Sequence, residues 1–340
     1  SLLNHGPVKV FTYEYPNSNT YDSKSSINIE RISGIKLFRK YRKANLVNNF
    51  ISANPNIRAL IADHWKSLEL IKTEYFKKIK TFCLLHSKEI NHEVGSSLNK
   101  RLIKSTNNAD YIIANSNFTK ELAIKVGINK SKINIIFPGI EKPKDIENIL
   151  KVKAEKIFGD SFPKIITVSR LDKRKGHDKI LMLIKNLKPK FPKIKYVSIG
   201  FGKEEDNLLK LTKGLGVEKE VTFLKNIDYN LKIALIAQAN LFLMPSRIEK
   251  KSVEGFGISF IEAASCGVGS IGGKDGGASD AIVHNKTGLI CDGSDLNSIY
   301  DSVVSFFRNE NFIKFGKNAQ EFSKKFHWDK VVKNYLKLIN

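Results

Sequence analysis

Cysteine is scarce in this chain of 340 residues, and its absence from recognisable patterns excludes several protein classes. The three cysteines, Cys83, Cys266 and Cys291, stand at unrelated spacings, so we expect no disulfide framework and no metal site, and a reducing, cytoplasmic location. No apolar run reaches the length of a membrane span, and residues 1–15 lack the pattern of a signal peptide. The 41% hydrophobic and 27% charged contents are those of a globular protein large enough for two domains.

Acidic residues are also in short supply, 34 against 57 Lys and Arg, which gives a net charge of +23. Residues 35–51 concentrate the excess, and a helical projection gives an apolar face of Leu37, Tyr41, Ala44 and Ile51, with Phe38 at its margin, opposite Lys36, Arg39, Arg42 and Lys43. Such a helix could lie on an anionic membrane, or it could be a core-packed helix with a solvated basic face. No aromatic–basic motif typical of RNA-binding modules is present, so we expect no nucleic-acid partner.

Apolar strands alternate with helical patterns along the whole chain, which predicts an α/β protein with parallel sheets covered by helices on both faces. A polar stretch, residues 141–163, contains Pro143 and Pro163, with Pro138 just before it; it interrupts the alternation and is typical of a linker that leads into a helix. Strands are predicted at Val8–Phe11, Ala59–Ala62, Thr81–Leu85, Tyr111–Ala114, Ile133–Phe137, Ile165–Ser169, Tyr196–Ile199, Val221–Phe223, Leu241–Met244, Gly269–Ile271 and Gly288–Ile290.

The run EGFGISFIEAASCG places two carboxylates around a glycine turn that opens a predicted helix, Ile258–Cys266. Gly255 and Gly257 suit a backbone that approaches another group closely. The start of the helix presents unpaired N–H groups and the positive end of the helix dipole, which together favour phosphate binding. Because Glu254 lies on the loop and Glu262 inside the helix, the site suits a ligand with both phosphates and hydroxyls, such as a nucleotide sugar.

A second basic element, RLDKRKG, directly follows the predicted strand Ile165–Ser169. Arg170 and Lys175 therefore lie at the carboxyl end of a strand, the edge where open α/β sheets bind ligands. A planar guanidinium and a mobile ammonium together suit two adjacent phosphates. The alternative interpretation of this stretch, taken alone, is a solvated basic loop.

With these motifs in order, the chain resembles the retaining nucleotide-sugar glycosyltransferases of family four, over roughly residues 8–338. The stretch MPSRIEKKSVEGFGISFIEA is most similar to the branch that contains the phosphatidylinositol mannosyltransferases. The matching segments are LHSKE (85–89), ADYIIANS (109–116), FPGI (137–140), VSRLDKRKG (168–176), SIGFG (198–202), MPSR (244–247), EGFGISFIEAASCG (254–267) and GGASDAI (276–282).

The resemblance implies the GT-B fold, in which two Rossmann-like parallel-sheet domains face a central cleft. It implies an acceptor-side domain at residues 1–142, a domain for the nucleotide sugar at 143–322, and a helix at 323–340 that crosses back to the first domain. The implied activity is transfer of a hexose, mannose or similar, to a lipid-linked or glycan acceptor with retention, at the cytoplasmic face of a membrane. We expect no cofactor and no metal, because no Asp-x-Asp pair ends a strand.

The resemblance also assigns roles on the donor side. Arg170, Lys175 and the amides of Phe256, Gly257 and Ile258 would stabilise the leaving diphosphate, while Glu262 would hold the ribose and Glu254 the hydroxyls of the transferred sugar. His86, at the end of a strand in the first domain, would approach and polarise the sugar. Further donor contacts are expected from Gly200 and Gly202, whose alternative is a simple strand-to-helix turn, and from the backbone near Lys225 and Asn226.

Two departures from the family pattern leave other functions open. Family members carry Gly after the histidine, where this chain has Ser87, and they begin with a strand and a glycine-rich loop that residues 1–90 lack. We expect the sequence to be a fragment that lacks its first strand and helix. The alternatives are a divergent protein that binds a nucleotide sugar without turning it over, and a sugar-nucleotide epimerase on the same fold.

Overall fold

A computed structural model describes residues 1–340, which divide into two compact units. Unit 1 comprises Ser1–Asn115, Lys120–Ile136 and Trp328–Asn340, and unit 2 comprises Ser116–Thr119 and Phe137–His327. The expected domain boundaries after residues 142 and 322 fall a few residues from these divisions, because the segments on either side of unit 2 pack with it as far as Phe137 and His327. None of the helices combines the length and the apolar character that a membrane crossing requires.

Every strand pair in unit 1 is parallel, and the strands form two sheets. One sheet pairs β1 with β2, and the other has the order β3-β4-β5-β6. The sequence did not predict β2, because two of its five residues are charged, and they pair with Lys9 and Asp22. The six strands are β1 (Lys9–Tyr13), β2 (Asn28–Ile32), β3 (Ala59–Ala62), β4 (Lys80–Leu85), β5 (Tyr111–Ala114) and β6 (Ile133–Ile135).

Helices cover the strands of unit 1 and bury its three apolar clusters. The C-terminal helix belongs to this unit, where Val331 packs with Phe82 and Ile113 of the sheet. The helices with most of their residues in unit 1 are α1 (Ser18–Asp22), α2 (Arg39–Ala53), α3 (Ser97–Asn107), α4 (Asn117–Lys125) and the last helix of the chain, α13 (Trp328–Ile339).

The predicted apolar face of residues 35–51 is wrong in its first half. The α-helix starts only at Arg39, after a 3₁₀ turn at Lys36–Phe38, so the 100° spacing does not extend back to Leu37. The face that packs into unit 1 consists of Ala44, Val47, Asn48 and Ile51, whereas Leu37, Phe38 and Tyr41 are exposed.

Unit 2 contains one six-stranded parallel sheet in the order β12-β11-β10-β7-β8-β9. Its strands are β7 (Lys164–Val168), β8 (Lys195–Ile199), β9 (Val221–Leu224), β10 (Leu241–Met244), β11 (Ser270–Gly273) and β12 (Gly288–Cys291). Its helices are α5 (Asn148–Phe158), α6 (His177–Leu187), α7 (Glu205–Leu215), α8 (Tyr229–Gln238), α9 (Ile258–Ser265), α10 (Ala278–Ala281), α11 (Leu296–Phe307) and α12 (Asn311–Ser323).

Strand order in unit 2 determines where a ligand site can form. The chain proceeds outward from β7 through β8 to β9 and then returns to place β10 on the other side of β7. The loops after β7 and β10 therefore diverge at a topological switch point, where α/β sheets bind ligands. Both motifs singled out from the sequence, RLDKRKG and EGFG, lie on these two loops. The prediction of a parallel α/β protein, including all eleven predicted strands, is confirmed within two residues at each end.

Candidate active site

The loop after β7 is fixed against its neighbours by backbone and buried side chains. Lys173–Lys175 form a 3₁₀ turn that ends at Gly176, whose φ is +77°. A Cβ at Gly176 would lie 2.5 Å from the carbonyl oxygen of Pro245, so only glycine allows the loops after β7 and β10 to touch. The buried His177 ring bonds Ser169 and Tyr196 at 2.9 Å each, and burial lowers its pKa to about 4. The neutral His177 ring thus anchors the first turn of α6 to Ser169 and to Tyr196 of β8.

Three ionic side chains, Arg174, Lys175 and Glu254, meet between the two loops and are called the ionic cluster below. The guanidinium Nη1 of Arg174 donates to Oε2 of Glu254 at 2.9 Å, and Nζ of Lys175 contacts the same oxygen. The side chains retain only about a tenth of their exposure. Burial alone would raise the pKa of Glu254, but attraction to Lys175 and Arg174 outweighs it and the pKa is lowered. With Arg174, Lys175 and Glu254 all ionised the ionic cluster carries a net charge of +1, although burial lowers the pKa of Lys175.

Arg170 differs from Lys175 in being unengaged. Its guanidinium is exposed and makes no hydrogen bond or ion pair within the chain, although it is close enough to Lys175 to lower the pKa of that amine further, after burial and Arg174. Sequence reasoning predicted Arg170 and Lys175 as a pair, and the structure brings only Lys175 into the ionic cluster. Arg174 was missed, because the sequence shows three consecutive basic residues with no sign of which ones turn inward.

The glycine turn that precedes α9 lies directly beside the ionic cluster. Gly257 caps α9 with a φ of +86°, and its Cα faces the Glu254 side chain, since a Cβ there would be 3.7 Å from Glu254 Cγ. The backbone of Gly276 and Gly277 packs against this turn so closely that a Cβ at Gly277 would lie 2.1 Å from the carbonyl oxygen of Gly255. The motif GGASDAI is therefore a support for the glycine turn.

Glu262 and Lys232 form an ion pair on the facing sides of α9 and α8. Nζ of Lys232 donates to Oε1 of Glu262 at 2.8 Å and lies 4.4 Å above the ring of Tyr229. Both charged side chains are largely buried. Sequence reasoning missed Lys232, and the only available signal was a lysine inside the apolar stretch LKIALIA.

The remaining predicted donor residues lie on loops at the same edge of the sheet. Gly200 and Gly202 contact the loop after β7, and a Cβ at Gly200 would lie 1.9 Å from the Ser169 carbonyl oxygen, so close backbone packing explains both glycines. Lys225 pairs with Glu205 at 2.8 Å, and Asn226 adopts a φ of +54°. A donor-binding role for these four residues stays a prediction.

His86 ends β4 in unit 1, and its ring meets a carboxylate that the sequence reasoning did not single out. Nε2 of His86 lies 2.9 Å from Oδ1 of Asp63, which directly follows the neighbouring strand β3. The hydrogen bond to Asp63 raises the pKa of His86. Because Asp63 occupies Nε2, the neutral ring presents Nδ1 as an acceptor.

The backbone after His86 takes a path that usually requires glycine. Ser87 has φ +88° and ψ −63°, which is the strained γ-turn conformation. Glu89 stabilises the turn by accepting a 2.6 Å hydrogen bond from the His86 amide. Ser87 therefore occupies a turn conformation that glycine adopts without strain.

A cavity of about 410 Å³ in unit 2 borders the loop after β7 at Lys173 and the start of α6 at His177. It is lined by the other side of the loop after β7 and by α7, with mixed charges that include Asp172, Asp178 and Arg247. None of the predicted donor residues lines it, so we place the candidate site at the ionic cluster and glycine turn. No group of three or more His, Cys, Asp or Glu side chains converges as metal ligands would.

Comparison with known proteins identifies the family. The family model described as "Glycosyl transferases group 1" matches residues 132–325, and "Glycosyltransferase Family 4" matches residues 7–142. The chain belongs to this glycosyltransferase family. The ionic cluster and glycine turn fall within the first match, and His86 falls within the second.

Individual relatives agree with the family and differ in how much of their length is matched. A GDP-mannose-dependent phosphatidylinositol monomannoside mannosyltransferase of Mycolicibacterium smegmatis is 29% identical over 62% of this chain and 58% of its own length. The corresponding protein of Mycobacterium tuberculosis is 35% identical over 42% of this chain, but only 37% of its own length is matched. An uncharacterized glycosyltransferase of Methanocaldococcus jannaschii is 25% identical over 99% of this chain and 85% of its own length.

Solved structures establish the fold. HepE of Anabaena in complex with UDP superimposes with a TM-score of 0.81 at 18% identity, covering 97% of this chain and 90% of HepE. The predicted GT-B class, with Rossmann-like parallel-sheet units, is confirmed, as is the predicted family-four resemblance.

Proposed function

We propose that this protein is a metal-independent retaining hexosyltransferase that transfers mannose or a similar sugar from a nucleoside-diphosphate sugar to a lipid-linked or glycan acceptor. The observation that carries this proposal is the buried ionic cluster beside the amino end of α9. A net positive cluster, an exposed Arg170 and free helix amides offer fixed positive charge for a diphosphate.

The reaction we propose follows from that charge distribution. The bond between the sugar C1 and the diphosphate oxygen breaks, and the bond from C1 to the acceptor oxygen forms on the same face. The acceptor's proton passes to the leaving phosphate oxygen, so neither Glu254 nor Glu262 becomes a covalent nucleophile. Arg170, Lys175 and the amides of residues 256–258 stabilise the charge on the departing diphosphate.

The carboxylates serve binding in this proposal. Glu262 has one oxygen occupied by Lys232, which leaves Oε2 for the ribose hydroxyls. Glu254 has Oε2 occupied by Arg174 and Lys175, which leaves Oε1 for hydroxyls of the transferred sugar. His86, on unit 1, has Nδ1 unoccupied by Asp63, so this nitrogen can form a hydrogen bond with a sugar hydroxyl. A guanosine donor is supported by the GDP-mannose-dependent relatives, and a uridine donor by the UDP complex of HepE.

Donor binding and turnover test the proposal. Replacing Lys175 or Glu262 by Ala should weaken binding of GDP-mannose or UDP-glucose by about 1.5–3 kcal/mol, as for loss of a hydrogen bond to a charged group. Lys193→Ala, which removes an exposed ion pair with Asp160 at the opposite edge of the sheet, is the matched control. Sugar release should persist with a chelator present. The site would be refuted if Lys175→Ala and Glu262→Ala bound the donor as tightly as Lys193→Ala does. Loss of activity in the chelator would refute metal independence.

The exposed segment before α2 supports a membrane-bound acceptor. Ile35, Leu37, Phe38 and Tyr41 are all at least 49% exposed. Lys36 and Lys40 extend between them, whereas Arg42 and Lys43 are engaged with the backbone around Gly34 and with Ser67. Apolar side chains flanked by exposed lysines, one of which lies 5.0 Å from the Tyr41 ring, fit an anionic lipid surface, and we propose that the protein binds the cytoplasmic face of a membrane there.

Vesicle binding tests the membrane surface. Leu37→Ser with Phe38→Ser should abolish co-sedimentation with phosphatidylglycerol vesicles, and Lys36→Ser with Lys40→Ser should weaken it mainly at low salt. Ile149→Ser with Val152→Ser is the control, since these residues of α5 are equally exposed apolar side chains in unit 2. Binding that is unchanged in the first variant, or lost equally in the control, would contradict the proposal.

A further inference from the structure

Four phenylalanines of unit 2 form a compact aromatic group that includes the glycine turn, and we call them the phenylalanine cluster: Phe137, Phe256, Phe322 and Phe326. Phe137 stacks on Phe256 with ring centroids 5.5 Å apart and an interplanar angle of 28°. Phe326 lies 5.6 Å from Phe137 and 5.7 Å from Phe256, and Phe322 lies 5.3 Å from Phe326. Phe256 and Phe326 are almost completely buried.

Phe256 is the member that connects the cluster to the candidate site. It lies between Glu254, which takes part in the ionic cluster, and Gly257, which caps α9. The turn has little freedom on its other sides, because a Cβ at Gly257 would lie 2.5 Å from the Phe260 ring and the Gly277 amide donates to the Glu254 carbonyl at 2.8 Å. The Phe256 ring adds a contact of the turn with the phenylalanine cluster.

The other partners come from the two ends of unit 2. Phe137 is the first residue of the segment Phe137–His327, and Phe326 is the last but one. The two ends are tied by a 2.9 Å hydrogen bond from the Ile140 amide to the Phe326 carbonyl and by a parallel bridge between Ile140 and His327. Phe256 thus packs against the two joined ends of unit 2. Neither end contains a residue with a role in the proposed reaction.

From this arrangement we infer that Phe137 and Phe326 are positioning residues for donor binding: their rings hold Phe256, and through it the phosphate-facing amides of the glycine turn. The inference rests on the proposed function. If the two rings served only the stability of the core, their loss would not affect the glycine turn more than other parts of unit 2. The inference requires that their loss alter the glycine turn specifically. A ring removed from the cluster leaves Phe256 free to move, and a displacement of about 1 Å at a reacting centre can cost roughly a hundredfold in rate.

The test compares Phe326→Leu with Phe158→Leu. Phe158 belongs to the same apolar core and is also nearly fully buried, but its ring forms no aromatic pair with the phenylalanine cluster. Phe137→Leu, at a less buried position, serves if Phe326→Leu fails to fold. Each variant is measured for thermal stability, GDP and UDP dissociation constants, kcat and KM with the matching nucleotide sugar, and hydrogen exchange of the amides at residues 255–258.

We expect all variants to lose thermal stability, and only the cluster variants to show faster exchange at residues 255–258. These should also bind the nucleoside diphosphate about tenfold more weakly than Phe158→Leu, a difference of about 1.4 kcal/mol. Equal exchange at the turn in Phe326→Leu and Phe158→Leu would overturn the inference, whether or not nucleotide binds. Failure of the parent protein to bind either nucleotide would instead overturn the proposed function, and the exchange measurement still decides whether the cluster holds the turn.

Discussion

Replacing Ser87 by glycine should stabilise unit 1, because the residue is strained and its hydroxyl is unsatisfied. Its φ of +88° is a conformation that non-glycine residues occupy at a cost of about 1–3 kcal/mol. The side chain is 1% exposed and Oγ has no hydrogen-bond partner in the protein, which costs about another 1–3 kcal/mol. Glycine loses about 0.5–1 kcal/mol more backbone entropy on folding than alanine. The lower limits still leave a net gain of about 1 kcal/mol.

Tryptophan fluorescence is the suitable assay, since both tryptophans of the chain, Trp65 and Trp328, belong to unit 1. Denaturant unfolding followed at the tryptophan emission should therefore report unit 1, with the midpoint for Ser87→Gly shifted upward. Ser87→Ala is the control: it removes the unsatisfied hydroxyl and keeps the strain, so it should gain less than Ser87→Gly. A glycine variant no more stable than the alanine variant would show that the turn is not strained, and a destabilised one would refute the reasoning altogether.

Three further contacts predict the sign of a change in pKa, in stability and in nucleotide affinity. Asp63→Asn should lower the pKa of His86 in an NMR titration, and an unchanged pKa would contradict the pairing. Because the folded pKa of His86 is raised, the stability that His86 gains from Asp63 is complete below pH 6.5 and is lost as pH rises through the folded pKa. Asp63→Asn should therefore flatten this dependence of stability on pH. Glu254→Gln should destabilise unit 2 by about 3–5 kcal/mol in calorimetry, because it leaves two buried cations unpaired; a loss below about 1 kcal/mol would mean that the ionic cluster is hydrated. Gly277→Ala should weaken nucleotide binding by displacing the glycine turn, and unchanged affinity in titration calorimetry would contradict the 2.1 Å approach.

Sequence patterns predicted the parallel sheets well, because buried parallel strands are short apolar runs whose identity depends on little beyond their own residues. The 35–51 segment shows where such reasoning fails. Its helical projection assumed one period from residue 35, but a 3₁₀ turn before Arg39 changes the phase, so Leu37 and Phe38 are exposed and the packed side chains begin at Ala44. Local turn geometry, which no hydrophobic pattern encodes, decided the result.

The candidate site shows a different kind of limit. Glu254, Lys175 and Glu262 could be singled out because each lies in a motif next to a strand or helix end. Their partners could not: Arg174 is 80 positions from Glu254, and Lys232 is 30 positions from Glu262. Asp63 similarly reaches His86 only because β3 and β4 are neighbours in register. These contacts depend on which elements pack together, and that information is tertiary.

Separation of Lys175 from Arg170 changes how a diphosphate would be recognised. Lys175 is buried and already paired with Glu254, so a diphosphate would share the charge of Lys175 with that carboxylate. The Arg170 side chain makes no hydrogen bond or ion pair within the protein, so its exposed guanidinium would break no contact on binding phosphate. Glu254 shares its Oε2 atom between the two cations, so the ionic cluster is formed before any ligand binds. A diphosphate at this site would therefore gain most from Arg170, the cation that gives up no contact within the protein.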